Sequence, residues 1–236
     1  MKIVRYSRNA GRPIANGEIF DLRSVGKIVG VGLNYRDHAA ETGLPPPKEP
    51  TLFLKATSAL CGPDDDLVMP RGAQSVDWEV ELGVVIGKPG VYIDAEKALD
   101  YLLGYVLAID FSERDFQFNR GGQGFKGKSA DTFAPLGPWL VTREEINDPQ
   151  SLAMTLSVNG VVKQHGNTRG MIFSVAELVA YISRFMSLQA GDVILTGTPA
   201  GVGFGQNPKT YLKPGDVVTA AIDGLGQQTH RVVASR

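Results

Sequence analysis

The stretch Val76-Asp77-Trp78-Glu79-Val80-Glu81-Leu82-Gly83-Val84-Val85-Ile86 constrains the fold more than any other part of the chain. It opens with polar and apolar residues in alternation. Read as a strand, it places Asp77, Glu79 and Glu81 on one face and Val76, Trp78, Val80 and Leu82 on the other. The apolar face belongs to a core. Along the acidic face, side chains two apart stand about 7 Å from each other, so ionised carboxylates repel unless water screens them or a cation bridges them. The same alternation describes the solvated side of an antiparallel strand, and the stretch alone leaves both readings open.

With 236 residues, 43% of them hydrophobic, the chain can bury a sizeable core. We expect one main domain over residues 27–236 with a small N-terminal appendage over residues 1–26. A formal net charge of −1 with scattered basic residues gives no electrostatic footprint for nucleic acid or an anionic membrane. No apolar run has the length of a membrane span, and Met1-Lys2-Ile3-Val4-Arg5-Tyr6 is not the start of a signal peptide, so a soluble cytoplasmic protein is expected. The single cysteine, Cys61, excludes an intrachain disulfide and a thiolate-rich metal site, and three histidines are too few for a His-rich zinc centre. Any metal must then be held mostly by carboxylate oxygens. That favours a hard cation such as Mg²⁺, Mn²⁺ or Ca²⁺.

Lys27 to Gly32 reads as a short strand that runs into one or two helical turns closed by Gly43, with His38 and Glu41 on one helical face. Leu44 to Pro50 is proline-rich and must loop, a candidate lid, before Thr51 to Lys55 returns to strand. Asp94 to Leu103 has helical spacing. Gly104 to Asp110 is an almost uninterrupted apolar strand, of the kind buried on both faces, so Asp110 emerges from the core. Ser112 is a candidate helix cap that puts Arg114 and Gln117 on the first turns beside Asp110. Gly121 to Asp131 lacks the spacing of a nucleotide-binding loop and reads as a mobile loop carrying Lys128. Further on come a strand over Pro135 to Val141 and a hairpin turning at Asn159-Gly160. A capping box at Ser174-Val175-Ala176-Glu177 opens a helix to about Met186, with Leu178, Val179, Ile182, Phe185 and Met186 inward. Two turn-to-strand units follow, and the first ends at a small-residue turn, Thr196 to Gly203, with accessible backbone N–H groups and hydroxyls. The pattern predicts an α+β chain, mostly β, built as a mixed sheet or barrel-like roll.

Three carboxylates, Glu79, Glu81 and Asp110, are the candidate metal ligands; they would hold Mg²⁺ or Mn²⁺ and leave positions for a bidentate 2-oxo acid. Spacing alone equally allows three unrelated acids at strand edges. His38 with Glu41 is the candidate general base, because a carboxylate bonded to imidazole fixes the tautomer and raises basicity. Lys55, Arg114 and Lys128 are candidate anion partners, Gln117 and Thr198 neutral donors, and His165 and His230 are assigned to the surface.

Jointly these segments resemble the fumarylacetoacetate hydrolase superfamily, in its single-domain branch related to acylpyruvases and 2,4-dioxo acid hydrolases. The matching motifs are Gly30-Val31-Gly32-Leu33-Asn34-Tyr35-Arg36-Asp37-His38, Phe53-Leu54-Lys55, Trp78-Glu79-Val80-Glu81-Leu82-Gly83, Asp110 with Arg114 and Gln117, Lys126-Gly127-Lys128-Ser129, and Thr196 to Gly203. The resemblance implies a mixed β-sandwich roll and a homodimer, with Mg²⁺ or Mn²⁺ on Glu79, Glu81 and Asp110. It further implies a water activated by His38 and Glu41, with Lys128 stabilising the developing charge. The implied reaction cleaves the C–C bond of an acylpyruvate or 2,4-dioxo acid and releases a metal-bound pyruvate enolate. Two other readings stand beside it. The same site could serve a decarboxylase or enol–keto isomerase, of oxaloacetate or 2-hydroxyhepta-2,4-diene-1,7-dioate type, or the chain could be a non-catalytic metal or sugar-acid binding module. The region before Lys27 looks shorter than in many members, and Gln206 to Lys209 forms a small extra loop.

Overall fold

The structure, a computed structural model, describes residues 2–3 and 22–235, so most of the expected appendage over residues 1–26 lies outside the described residues. In chain order the elements begin with β1 (Lys2–Ile3), β2 (Ile28–Gly32), α1 (Arg36–Thr42), β3 (Thr51–Lys55), β4 (Leu60–Cys61), β5 (Leu67–Met69), β6 (Val76–Asp77) and β7 (Val80–Ile86). Next come β8 (Leu102–Ile109), β9 (Ser112–Glu113), α2 (Arg114–Asn119), α3 (Phe125–Lys128) and β10 (Ala134–Thr142). The chain closes with β11 (Ala153–Val158), β12 (Val161–Asn167), α4 (Val175–Ile182), β13 (Val193–Leu195), β14 (Val217–Ile222) and β15 (Gly226–Ala234).

Among the described residues one eight-stranded sheet runs β1-β10-β8-β7-β13-β2-β3, with β4 beside β10. A five-stranded sheet runs β12-β11-β14-β15-β5, and β6 pairs with β9 alone. Most neighbours are antiparallel, while β2/β13, β4/β10 and β5/β15 are parallel. The two sheets pack face to face, β7 and β8 against β11, β14 and β15. Between them Val80, Leu82, Leu107, Met154, Leu156, Val218 and Ala220 form the centre of the core. Each fully buried Leu there contributes about 1.5–3 kcal/mol. This is the mostly-β, mixed-sheet roll that the sequence predicts.

The acidic stretch departs from its expected form in two ways. The strand breaks at Trp78-Glu79: β6 pairs with β9, whereas β7 pairs with β8 and β13. Nor is the acidic face solvated, since Asp77, Glu79 and Glu81 are 0%, 6% and 1% exposed. Arg114 of α2, Lys128 of α3 and backbone N–H groups of the 196–204 segment cover them.

Several local expectations hold. Gly43 closes α1 at φ 68, Asn159 and Gly160 take φ 52 and 78 in the hairpin turn, and Ser174 and Glu177 form the capping box of α4. Others are corrected. Ala95–Tyr101 is a 3-10 helix. Ser112 lies in β9, and the cap of α2 is Glu113, whose carboxylate accepts from Phe116 N–H at 2.6 Å. Helix α4 stops at Ile182, and Phe185 beyond it is 63% exposed instead of inward. Lys128 ends a short helix and is buried, not carried on an open loop. His165 is exposed as expected, but His230 is buried, edge-on to Phe111 with Nδ1 2.7 Å from the Asp65 carbonyl oxygen. Among the described residues no helix is long and apolar enough to cross a membrane.

Candidate active site

Register brings the three proposed ligands together. Val80 sits opposite Ile109 in the β7/β8 ladder, so the residues just beyond them, Glu79 and Asp110, also face each other, and Asp110 N–H donates to the Glu79 carbonyl at 2.9 Å. Glu81 is two residues further along β7, on the same side as Glu79. One carboxylate oxygen from each of Glu79, Glu81 and Asp110 lies within 4.8 Å of the others, and all three residues are buried.

Three cations surround this cluster. The Lys128 ammonium bridges Glu79 at 2.8 Å and Asp110 at 2.5 Å. Arg114 Nη2 donates to Glu79 at 2.6 Å, and Lys55 is paired with the far oxygen of Asp110 and bonds the Phe111 carbonyl at 3.2 Å. Burial alone would raise the Glu79 pKa, but Lys128 and Arg114 overcome it and hold Glu79 below the ordinary carboxylate range. Among the described residues Glu81 forms no ion pair; its carboxylate accepts from the Gly197 N–H at 2.7 Å. Burial, then the charges of Asp110 and Glu79, push its pKa well up. Burial also pushes Lys55 down, outweighing Asp110, whereas Lys128 is carried up against burial by Asp110 and Glu79.

The cluster fits a hard divalent cation. Its donors are all carboxylate oxygens, they converge, and burial with the charges of Asp110 and Glu79 raises the Glu81 pKa, a penalty that a bound cation would relieve. With Asp77, four buried carboxylates lie around Lys55, Arg114 and Lys128, and Glu113, which caps α2, is buried beside them.

Helix α1 supplies the other half of the site. His38 Nδ1 lies 3.0 Å from Glu41 Oε2, a contact that suits the neutral tautomer donating from Nδ1 and accepting at Nε2. Glu41 is itself fixed, accepting from Gly201 N–H at 2.9 Å through Oε1.

A cavity of about 680 Å³ joins the two halves, and His38, Glu79, Glu81, Arg114, Gln117, Lys128 and Thr198 all line it. Its charged floor is nearly sealed from solvent, while its mouth is apolar, with Leu44 and Phe118 about half exposed. Lys55 is not part of the wall and instead supports Asp110. Gln117 Oε1 accepts from Arg114 Nη1 at 2.9 Å. The Thr198 hydroxyl donates to the Val80 carbonyl at 2.8 Å and accepts from Gln164 Nε2 at 2.8 Å, so its proton serves the framework. The 196–204 segment is likewise not a set of open N–H groups. Gly197 holds Glu81, Gly201 holds Glu41, and Gly203 and Phe204 hold Asp77. Gln164, which also accepts from Val80 N–H at 2.9 Å, carries no motif that would mark it in the sequence. Asp77 does carry one, because it shares the alternation of Glu79 and Glu81.

Fold and cavity together define a class: a mixed β-roll with a buried carboxylate cluster able to hold a cation, opposed by a histidine–glutamate pair. The chain belongs to the fumarylacetoacetate hydrolase family, whose C-terminal domain matches residues 27–233. A Burkholderia multivorans protein named provisionally as a hydrolase is 57% identical over 213 residues, 90% of this chain and 76% of that protein. Among solved structures, a fumarylacetoacetate hydrolase from Exiguobacterium antarcticum is 40% identical with a TM-score of 0.82, over 89% of this chain and 75% of that one. The 2-hydroxyhepta-2,4-diene-1,7-dioate isomerase of Mycobacterium marinum is 41% identical with a TM-score of 0.78, over 89% and 75% of the two chains.

Proposed function

We propose that the protein is a divalent-metal-dependent hydrolase that cleaves the C–C bond of an acylpyruvate or other 2,4-dioxo acid. The observation that carries this reading is that one cavity is lined by His38, which Glu41 holds from behind, and by Glu79 and Glu81, whose carboxylates converge with that of Asp110 beneath the wall. Water adds to the C4 carbonyl, the C3–C4 bond breaks, and the products are pyruvate and a carboxylic acid. His38 takes the proton of that water through Nε2, and Glu41 holds the tautomer and stabilises the imidazolium that forms. Arg114 and Lys128 offer positive charge to the substrate carboxylate and to the oxygen that becomes negative. When bound by Glu79, Glu81 and Asp110, Mg²⁺ or Mn²⁺ would polarise the 2-oxo acid head and take up charge as the bond breaks.

A second reading, isomerisation of a 2-hydroxydienedioate, is favoured by the name of the similar Mycobacterium marinum structure. Isomerisation adds no water to the product. Acetylpyruvate, oxaloacetate and 2-hydroxyhepta-2,4-diene-1,7-dioate assayed side by side separate the readings. Hydrolysis predicts pyruvate and acetate from acetylpyruvate, lost in His38→Ala; carbon dioxide release or isomerisation that dominates and survives in His38→Ala would replace it.

A further inference from the structure

Asp77 is fully buried, and both of its oxygens are occupied. Oδ1 accepts from the Trp78 N–H at 2.8 Å and the Gly203 N–H at 2.6 Å. Oδ2 accepts from Phe204 N–H at 2.9 Å and from Arg114, at 2.9 Å from Nε and 2.7 Å from Nη2. Charge-assisted bonds of this fork type fix orientation as well as energy. Arg114 spends its other bonded hydrogens on Glu79 through Nη2 and on Gln117 through Nη1. One Nη1 hydrogen then has no acceptor among the described residues, and Arg114 lines the cavity.

The opposite wall repeats the device. Glu41 accepts from Gly201 N–H through one oxygen and orients His38 with the other. One short segment, 201–204, therefore grips two carboxylates, and each carboxylate aims a cavity side chain. The backbone leaves little play. A Cβ at Gly201, where φ is +107, would lie 2.0 Å from the Lys163 carbonyl oxygen, and one at Gly203 would lie 1.9 Å from that of Thr210. Phe204, whose N–H donates to the same Asp77 oxygen, packs against Phe118 with ring centroids 5.3 Å apart and planes tilted by 36°, and forms part of the cavity wall.

We infer that Asp77 is a positioning residue: it turns the free Nη1 hydrogen of Arg114 towards the substrate carboxylate and locks Arg114 to the segment that also holds the His38–Glu41 pair. What Arg114 meets rests on the 2-oxo acid reading above. How Asp77 holds Arg114 does not.

Asp77→Asn tests both parts, with two readouts. The first needs no substrate: hydrogen exchange followed by NMR at Arg114 Nε–H and at the Gly203 and Phe204 amides. The inference expects all three to lose protection in D77N, while the Gly201 amide, bound by Glu41, keeps it. Wild-type protection at Arg114 Nε–H in D77N would overturn it. The second is the KM for acetylpyruvate, expected to rise about 10- to 100-fold as charge-assisted bonds are lost, with a smaller change in kcat. In an Arg114→Gln background the same D77N change should raise KM little further, because Asp77 acts through Arg114; an undiminished effect there would assign it a merely structural role. If D77N does not fold, Arg114→Lys tests the pair from the other side. It should raise KM while Gly203 and Phe204 stay protected, and a wild-type KM in R114K would refute the inference. Should the wild-type protein turn over no 2,4-dioxo acid, the functional reading falls and the exchange measurement still decides the role of Asp77.

Discussion

Strands β7 and β14 face each other across the core, and they invert what their sequences suggest. β7 carries an acid in its first turn of alternation, yet all seven of its residues are buried. β14, Val-Val-Thr-Ala-Ala-Ile, carries no charge, yet its side chains are buried only at every second position. Alternation in sequence therefore reports which residues tolerate water, not where water is. On β7 the acid, Glu81, is covered because it lies in the floor of a cavity; it accepts from the Gly197 N–H, while the cost of burying its neighbours Glu79 and Asp110 is offset by Lys128, Arg114 and Lys55.

The difference can be sharpened by substitution on each strand. The largest effect is expected from Glu81→Gln on β7, which removes a proposed ligand and should lower turnover about 100- to 1000-fold, together with a loss of Mn²⁺ binding by calorimetry. Leu82→Ala, on the other face of the same strand and fully buried, should cost about 2–5 kcal/mol in urea unfolding. A smaller effect is one of pH. Burial and the neighbouring acids raise the Glu81 pKa, so the folded metal-free protein binds a proton that the unfolded chain has released. Stability from this group is present at and below the ordinary carboxylate value and is lost as pH rises through the raised one. Urea midpoints of the metal-free protein should therefore fall with rising pH over that window, and the slope should flatten in E81Q. By contrast Val217→Thr on β14, at an exposed position, should change stability by less than about 0.5 kcal/mol. A Val217→Thr cost as large as that of Leu82→Ala would erase the contrast.

Much of this was legible in the sequence, for identifiable reasons. The Asn159-Gly160 hairpin, the Ser174–Glu177 capping box and Gly43 are local signals, and local backbone chemistry decides them. Glu79, Glu81 and Asp110 were legible as a set because carboxylates at the ends of apolar strands are costly without a partner. What escaped is long-range. Lys128 and Lys55 read as candidate anion partners, but nothing near them in sequence shows the buried acids they pair with. His230 reads as a surface residue because its partners, Asp65 and Phe111, lie on distant segments. The break at Trp78-Glu79 was invisible because both sides of it have strand propensity. Asp77 was visible but its role was not, since that depends on the N–H groups of residues 203 and 204.

Metal add-back to the stripped enzyme bears most directly on the acid cluster. Protein freed of metal by EDTA and dialysed should release no pyruvate from the best 2,4-dioxo acid. Activity should return in proportion to added Mg²⁺ or Mn²⁺, saturate at a single ion per chain, and fail to return in Glu81→Gln. Full turnover by the stripped protein, or equal recovery in E81Q, would contradict the account.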